Sequence, residues 1–237
     1  MELAQIEDQF VDVGATFISS SFDIREKLNH IKAYLFDWDG VFNDGSKRFS
    51  SEGSTFSEVD SAGLRMLRYS HYRKFGEVPY LGVITGAQNP GAAALMASHG
   101  ADVIYQRAIR KREALEHFLN EHDLKAEEVC YMYDDALDLN VAAEVGLRFC
   151  VGRLANPIFI GLVQGSGLAD YITACQGNEH AVREVSELIM ILQEEYTAVI
   201  QELMNPTEHY LNFRSLVQER VLKKYEYLDK EFHLDEG

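Results

Sequence analysis

The most regular feature of the chain is an alternation of short apolar runs with longer amphipathic segments, which begins near residue 31. Short apolar runs bounded by turn signals predict strands, and apolar positions spaced three and four apart predict helices. Because such alternation is typical of a parallel sheet covered on both faces, we expect an α/β fold with a Rossmann-like parallel sheet. The predicted strands are 32–37, 80–85, 102–105, 129–133, 147–151 and 169–172, and the predicted helices are 61–74, 89–99, 110–122, 136–145 and 156–164.

The two ends of the chain follow other patterns. The N-terminal residues are weakly patterned, with Asp23 as a candidate N-cap of a short helix that ends near residue 29. Residues 181–234 carry two apolar series at helical spacing, separated by an Asn-Pro pair, and they predict a C-terminal helical hairpin. This hairpin would either pack on its own domain or form a subunit contact. We expect an N-terminal segment 1–30, a central α/β domain 31–180 and a C-terminal helical extension 181–237.

One segment interrupts the alternation of strands and helices. Residues 47–57 surround a Glu-Gly turn signal and predict a small β-hairpin flap between the first two strands. The helix 61–74 takes up most of the remaining residues before the second strand. The spacing therefore leaves no room for a separate lid domain, either here or between the later strands.

Composition and charge narrow the range of functions. The 237 residues are 46% apolar and 25% charged, as in soluble globular proteins, and the net charge is −16. That charge disfavours binding to nucleic acid and to anionic membrane surfaces. Cys130, Cys150 and Cys175 show neither metal-binding spacing nor a disulfide framework, which favours buried free thiols. No signal peptide and no membrane-spanning apolar run is recognisable, so we expect a cytoplasmic protein.

Several polar residues follow the predicted strands at the points where those strands end. In open α/β sheets, ligands bind at the carboxyl ends of the strands, so we expect these side chains to converge. Carboxylates there can share one Mg²⁺ ion, which removes their mutual repulsion and screens an incoming phosphate. One aspartate can then attack phosphorus, and a second can transfer the proton. The residues are Asp37 and Asp39 after the first strand, Thr85 with Gly86 after the second, and Asp134, Asp135 and Asp138 after the fourth.

A positive charge for the transferring phosphoryl group is available from Lys111, which opens the helix 110–122. Each motif also has an ordinary structural explanation. An isolated Asp-x-Asp is commonly a solvated turn, Lys111 lies in a basic helix start, and Asp138 can stabilise the first turn of its helix. A phospho-receiver domain uses similar residues, but its phosphorylated aspartate comes from a middle strand, whereas Asp-x-Asp opens the sheet here.

The order of these motifs resembles the haloacid dehalogenase superfamily of aspartate-nucleophile phosphatases. Within that superfamily, the layout without a lid domain is similar to the 3-deoxy-D-manno-octulosonate 8-phosphate phosphatase family. The resemblance covers roughly residues 30–190. It is carried by the segments DWDGVFNDG at 37–45, FSEVDSAGL at 56–64, TG at 85–86, IYQRAIRKREAL at 104–115, DDALD at 134–138, EVGLRFCV at 144–151, ADYIT at 169–173 and HAVREV at 180–185.

The resemblance implies a role for each matching residue. Asp37 would be the nucleophile and Asp39 the general acid and base, while Thr85 would bind phosphoryl oxygens and Lys111 would balance charge. Mg²⁺ would be held by Asp37, the backbone carbonyl of Asp39 and Asp134, with support from Asp135 and Asp138. Family members form tetramers in which one subunit's flap helps to close a neighbour's site, so a homo-oligomer, preferably a tetramer, is implied. The candidate substrate-binding residues are Asn43, Gly86 and Arg183.

The departures from the family pattern cluster at substrate-facing positions. Ala87 replaces an arginine, Ser54 replaces a flap lysine, and Tyr133 replaces the glycine before the aspartate pair. A Gly-Asn-Glu-His stretch that ends at His180 replaces a glycine-rich one. Losing an arginine and a lysine removes cations that a sugar acid would need, and His180 and Arg183 are candidates to restore polarity.

We therefore expect a Mg²⁺-dependent phosphomonoester hydrolase that acts through an aspartyl-phosphate. Its substrate would be a small sugar phosphate, of the 3-deoxy-octulosonate 8-phosphate type or related to it. The alternative is a binding or assembly protein on a phosphatase fold with reduced or lost activity, which the substitutions and the added C-terminal helices favour.

Overall fold

A computed structural model of the protein describes residues 2–46 and 55–235. Its centre is a nine-stranded sheet, and the strands are β1 (Thr16–Phe17), β2 (Ala33–Phe36), β3 (Tyr80–Ile84), β4 (Val103–Gln106), β5 (Val129–Tyr133), β6 (Leu147–Cys150), β7 (Tyr171–Ile172), β8 (Lys223–Leu228) and β9 (Glu231–Leu234). Their spatial order is β1-β7-β6-β5-β2-β3-β4-β8-β9. The seven strands from β7 to β8 run parallel, and β1 and β9 are antiparallel at the two edges. The α/β parallel sheet and its six predicted strands are confirmed.

Helices cover both faces of the sheet. They are α1 (Leu3–Asp12), α2 (Ser21–Leu28), α3 (Glu58–Phe75), α4 (Pro90–Ser98), α5 (Lys111–His122), α6 (Leu139–Ala142), α7 (Pro157–Ser166), α8 (Ala181–Leu192), α9 (Tyr196–Met204) and α10 (Glu208–Gln218). The predicted helix 136–145 is shorter in the structure, where a 3₁₀ turn (Ala136–Asp138) precedes α6. Within the described residues, no helix combines the length and the apolar character needed to cross a membrane.

The two cores follow from the alternation of side chains along the central strands. In β2, Tyr34 and Phe36 point into one core, where α3 and α8 pack, and Ala33 and Leu35 point into the other, beside α5 and α7. All four residues are at most 3% exposed. A large apolar side chain buried in this way stabilises the fold by about 1.5–3 kcal/mol, which explains why the central strands are continuous apolar runs.

The N-terminal segment is more ordered than its pattern predicts. The structure contains α1 and β1, which were not predicted, and β1 pairs with β7 at the edge of the sheet. The N-cap of α2 is Ser20 rather than Asp23, because the backbone N–H of Asp23 donates to the Ser20 hydroxyl at 3.1 Å. Asp23 instead lies in the first turn of the helix, where its hydroxyl partner Ser20 donates to its carboxylate at 2.7 Å.

The predicted C-terminal helical hairpin is wrong. Its first helix is interrupted between α8 and α9, where Glu194 adopts a left-handed backbone conformation (φ 66°). Its second helix ends at Gln218, the last residue of α10, and the chain then forms the β8–β9 hairpin. The turn residues Asp229 and Lys230 both have positive φ, as a two-residue hairpin turn of type I′ requires.

Aromatic packing explains why strands replace the predicted second helix. Tyr225 of β8 stacks on Tyr105 of β4, with ring centroids 5.3 Å apart and planes 16° apart. Phe232 of β9 packs edge-on against the same Tyr105 ring at 5.0 Å. Tyr225 and Phe232 both have helical spacing in the sequence, but β8 extends the sheet beside β4, where Tyr225 is buried and Phe232 is half-buried.

Two further expectations concern the flap and the cysteines. The predicted flap, with Ser54, lies largely outside the described residues, and Thr55 to Ser57 carry no regular secondary structure before α3. The three cysteines are free thiols, as expected; Cys130 and Cys150 are buried and Cys175 is half-buried. The division into segments 1–30, 31–180 and 181–237 stays a prediction.

Candidate active site

The structure brings three of the predicted residues to one edge of the sheet. Asp37, Thr85 and Asp134 directly follow β2, β3 and β5, which are neighbours in the sheet. Phe36 pairs with Val83 and with Met132 in parallel register, so the three strands end at nearly the same level. All three polar residues are buried, and they form the floor of the site at the carboxyl ends of the strands.

Lys111 joins the site from the first turn of α5. Its Nζ atom lies 2.7 Å from Oδ1 of Asp37 and 2.6 Å from Oδ1 of Asp138. Its side chain is only 5% exposed, so this is a buried ion pair. Burial alone would lower the pKa of Lys111, but the two carboxylates outweigh it and the pKa is raised. Lys111 is therefore a fixed positive charge beside Asp37.

Three buried carboxylates lie close enough to share a cation. Oxygen atoms of Asp37, Asp134 and Asp138 all lie within 4.8 Å of one another. Burial raises the pKa of Asp37 and Asp134 to about 6 and that of Asp138 to about 7. The proximity of Asp37 is the second cause of the raised pKa of Asp138. Clustered oxygen donors that repel one another fit a hard divalent cation such as Mg²⁺, so the residues present suit the expected metal.

The loop after β2 is folded tightly over this cluster. Gly40 has a left-handed backbone conformation (φ +94°), and a Cβ atom at this position would lie 2.1 Å from Oδ2 of Asp134. Trp38, between the two aspartates, is fully buried and stacks on Phe42 with ring centroids 4.9 Å apart. The glycine of Asp-Trp-Asp-Gly therefore lets the backbone approach the carboxylate of Asp134.

Asn43 closes the same loop through its side chain. Its Oδ1 accepts from the backbone N–H groups of Gly45, at 2.8 Å, and Gly40, at 3.4 Å. Its Nδ2 donates to the carbonyl of Trp38 at 3.4 Å. The side chain is buried, and these hydrogen bonds are all made to the backbone of its own loop. The structure thus places this predicted substrate-binding residue where it shapes the Asp37–Asp39 turn.

Asn89, which sequence reasoning missed, connects two of the predicted catalytic residues. Its Nδ2 donates to Oγ1 of Thr85 at 3.0 Å and to Oδ2 of Asp39 at 3.3 Å. Its backbone N–H donates to Oε1 of Gln106 at 3.1 Å, which fixes it just before α4. Asn89 is buried, so a single amide sets the separation of the Thr85 hydroxyl and the Asp39 carboxylate.

Arg153 is the second residue that sequence reasoning missed. One of its Nη atoms lies 2.6 Å from Oδ2 of Asp134, and its side chain is 26% exposed. It follows β6, the neighbour of β5, so the rule that located Asp134 would also have pointed to it. Tyr131, within β5, also contacts the carboxylate cluster: its hydroxyl donates to Oδ1 of Asp138.

The remaining predicted residues lie outside this cluster. Asp135 is exposed and accepts from the backbone N–H of Ala136 at 2.7 Å, so its side chain caps the 3₁₀ turn. Gly86 is exposed and follows Thr85 directly. The Nε atom of Arg183 donates to Glu187 on α8 at 2.9 Å. The functional roles of these three residues stay predictions.

Comparisons with known proteins agree with this architecture. No family model matched the sequence. The 3-deoxy-D-manno-octulosonate 8-phosphate phosphatase of Escherichia coli (strain B / BL21-DE3) is 30% identical over 176 residues, which are 73% of this chain and 86% of the relative. A probable YrbI family phosphatase from Pseudomonas syringae has a TM-score of 0.65 at 30% identity, over 78% of this chain and 99% of its own.

A second solved structure is a 3-deoxy-D-manno-octulosonate 8-phosphate phosphatase from Moraxella catarrhalis, in complex with a magnesium ion, a phosphate ion and a KDO molecule. Its TM-score is 0.64 at 30% identity, over 76% of this chain and 98% of its own. The fold and these relatives define a phosphatase of the haloacid dehalogenase type. The chain belongs to the 3-deoxy-D-manno-octulosonate 8-phosphate phosphatase family, which confirms the resemblance found in the sequence.

Proposed function

We propose that the protein is a Mg²⁺-dependent phosphomonoester hydrolase that acts through an aspartyl-phosphate on a small sugar phosphate. One observation carries this proposal. Lys111 bridges Asp37 and Asp138, and Asp134 lies within 4.8 Å of the same carboxylates at the carboxyl edge of the sheet. Buried carboxylates beside one buried lysine provide a nucleophile, metal ligands and a charge for the phosphoryl group.

The metal would be held by Asp37, Asp134 and the backbone carbonyl of Asp39. Asp138 and Asp135 would support it from the side of the 3₁₀ turn. When bound, Mg²⁺ supplies charge that offsets the carboxylates and the phosphate oxygens. The donor set of the described residues supports this assignment, as does the magnesium ion in the Moraxella catarrhalis relative.

The proposed reaction has two steps on the side chains of this protein. A carboxylate oxygen of Asp37 attacks phosphorus, the bond between phosphorus and the ester oxygen breaks, and Asp39 gives its proton to the leaving alcohol. Asp39 then takes a proton from water, whose oxygen attacks the aspartyl-phosphate; inorganic phosphate leaves and Asp37 is restored.

Two contacts position the groups that serve these steps. The side-chain amide of Asn89 donates hydrogen bonds to both the Thr85 hydroxyl and the Asp39 carboxylate. The proposed phosphoryl-binding group, Thr85, and the proposed proton-transfer group, Asp39, therefore keep a fixed separation. Lys111 contacts Asp37 directly and stays charged, so it can balance the phosphoryl group as the nucleophile forms its new bond.

The proposed substrate class rests on the relatives, whose names specify 3-deoxy-D-manno-octulosonate 8-phosphate. Ala87 and Ser54, which stand where the family usually has an arginine and a lysine, make a related sugar phosphate a candidate substrate as well. Ala87 offers no cation at the site; its backbone N–H donates to Oγ1 of Thr85 at 3.4 Å. We expect a sugar phosphate that needs fewer cationic contacts than the usual sugar acid.

We also propose a homotetramer in the cytoplasm. Exposed apolar side chains support a subunit contact near the site: Leu154 follows Arg153, and Ile158 and Leu162 lie on α7. Free thiols are ordinary in the reducing cytoplasm, and the three cysteines are free. Sedimentation of the purified protein would test the tetramer.

The proposed function is tested by phosphate release from a panel of sugar phosphates that includes 3-deoxy-D-manno-octulosonate 8-phosphate. We expect release that needs Mg²⁺, stops with EDTA and is abolished in Asp37→Asn. Asp123→Asn is the matched control, because Asp123 is an exposed aspartate at a helix end where asparagine fits equally well. No release across the panel, with Mg²⁺ shown to bind, would favour the binding or assembly alternative.

A further inference from the structure

A second site is suggested by a cavity on the other side of the molecule. The cavity measures about 310 Å³ and lies between α3, α4 and α10. The polar side chains that line it are Arg65, Arg68, Ser98, His99, Arg214 and Gln218. None of the described residues that line this cavity is acidic, although the whole chain carries a net charge of −16.

The cavity is separate from the candidate active site. His99 lies at the end of α4, and Arg68 contacts the carbonyl of Pro79, which precedes β3. Both positions are at the amino ends of β3 and β4, whereas Asp37, Thr85 and Asp134 follow the carboxyl ends of their strands. The two sites therefore lie at opposite ends of the parallel sheet.

Arg68 places a buried positive charge beneath the cavity. The residue is 1% exposed, and its Nη atoms donate to the backbone carbonyls of Pro79, His99 and Gly100. Its Nε atom is buried and has no hydrogen-bond partner in the part of the chain that the structure describes. Burial lowers the pKa of Arg68 to about 10, although the group stays charged near neutral pH.

The nearest acidic group does not neutralise this charge by direct contact. Asp102 influences Arg68 through space, but Nη1 of Arg220 holds both carboxylate oxygens of Asp102 at 2.7 and 2.8 Å. The carbonyl contacts explain how Arg68 ties the segments before β3 and β4 together. Within the described residues, no carboxylate contacts Arg68 directly, and a buried charge that lacks a directly bound counter-ion is costly.

Two more arginines extend the positive charge to the mouth of the cavity. Arg65 is half-buried on α3 and Arg214 is exposed on α10. Neither forms an ion pair with any of the residues that the structure describes. Most other arginines of the chain have acidic partners, such as Arg25 with Glu194 and Arg112 with Glu144. Arg65 and Arg214 are therefore free to bind an anion from solution.

We propose that this cavity binds a phosphate group, either as inorganic phosphate or as part of a small phosphorylated metabolite. Arg65 and Arg214 contact the oxygens with their planar guanidinium groups, which match the geometry of phosphate. The buried charge of Arg68 strengthens the attraction from below. His99 adds a neutral wall, since burial lowers its pKa to about 4 and its Nε2 is hydrogen-bonded to Ser61 at 3.0 Å. The volume is at the small end for ligand sites, as a phosphorylated metabolite requires.

The test measures the binding of inorganic phosphate by calorimetry to the full chain in EDTA. Without Mg²⁺ the active site presents clustered carboxylates, so phosphate binding there is weak and the cavity dominates. We expect saturable binding by the wild-type protein and a dissociation constant roughly tenfold or more higher in Arg65→Gln/Arg214→Gln, because hydrogen bonds from charged donors are lost. The control variant Arg25→Gln/Arg112→Gln loses the same charge where acidic partners exist, and it keeps the wild-type constant.

Further arms identify the source of the phosphate group. Tighter binding of glucose 6-phosphate than of inorganic phosphate indicates a phosphorylated metabolite, and equal binding indicates the free ion; either result supports the site. Equal loss of phosphate binding in the two double variants would overturn the proposal, because it would reflect net charge alone. So would unchanged binding in Arg65→Gln/Arg214→Gln, no saturable phosphate binding, or binding of citrate in place of phosphate. Phosphatase activity at the remote active site stays at the wild-type level in both variants, which shows that they are folded.

Discussion

Lys111 donates to Asp37 across 2.7 Å inside the protein, where both side chains are less than a tenth exposed. This contact holds the proposed nucleophile and a fixed positive charge together before any substrate arrives. Such a pair is pre-organised for phosphoryl transfer, since the charge that the transition state needs is already in place.

The first prediction concerns the charge of Lys111. We expect Lys111→Met to lower kcat roughly 100-fold to 1,000-fold, because a preorganised charge beside the phosphoryl group is lost. The variant also leaves Asp37 and Asp138 without their cation, so it is expected to be less stable by about 3–5 kcal/mol without Mg²⁺. Steady-state kinetics and chemical denaturation in EDTA measure the two effects. Lys125→Met, at an exposed lysine, serves as the control; equal kinetics in the two variants would contradict the assignment.

The second prediction concerns the amide of Asn89. Asn89→Ala removes the donor shared by Thr85 and Asp39, so we expect kcat to fall about tenfold or more, the cost of about one buried hydrogen bond to a charged group. The neighbouring Gln88 is exposed, and Gln88→Ala is the control. Steady-state kinetics on the best substrate of the panel provides the comparison. If both variants keep the wild-type kcat, Asn89 has no positioning role.

The third prediction separates backbone strain from close packing at the glycine of the opening loop. Gly40 and Gly76 both have positive φ, of +94° and +78°, but a Cβ at Gly76 would meet nothing within 4 Å. We expect Gly76→Ala to cost about 1 kcal/mol of unfolding free energy. Gly40→Ala is expected to cost clearly more and to weaken Mg²⁺ binding, since its Cβ collides with Asp134. Denaturation curves and metal titration test this, and equal costs would show that strain alone matters.

The sheet and the position of the acidic cluster could be predicted because each depends on a local pattern. β2 and β5 are continuous apolar runs, and the residue that follows a parallel strand lies at the carboxyl edge wherever the strand is placed. Asp37 and Asp134 were therefore found from order alone. Asn89 and Arg153 were not, because each is a single polar residue in the loop after its strand, and the sequence does not show which loop residue turns toward the site.

The C-terminal region shows where local pattern fails. Val217, Val221 and Tyr225 have helical spacing, but Tyr225 and Tyr227 also alternate as strand residues do. The stacking of Tyr225 on Tyr105 decides between the two, and Tyr105 lies 120 residues earlier in the chain. Tertiary contact thus selects a strand from a sequence that is compatible with both structures.

The last prediction concerns acid stability and rests on two buried histidines outside the active site. Burial lowers the pKa of His71 and of His99 to about 4, from an ordinary value near 6.5. Between these values the unfolded chain binds protons that the folded chain excludes, so unfolding is favoured as the pH falls. We expect the free energy of unfolding to be insensitive to these groups above pH 6.5 or so, and each histidine to remove up to about 1.4 kcal/mol per pH unit below it.

The buried carboxylates with raised pKa act in the opposite sense, so the comparison must be between variants. Urea denaturation in EDTA at several values between pH 7.5 and 5 should give a shallower decline for His71→Gln and for His99→Gln than for the wild type, whereas His233→Gln, at an exposed histidine, should match the wild-type slope. Parallel slopes for all four proteins would mean that His71 and His99 are protonated in the folded state and that their burial carries no acid penalty.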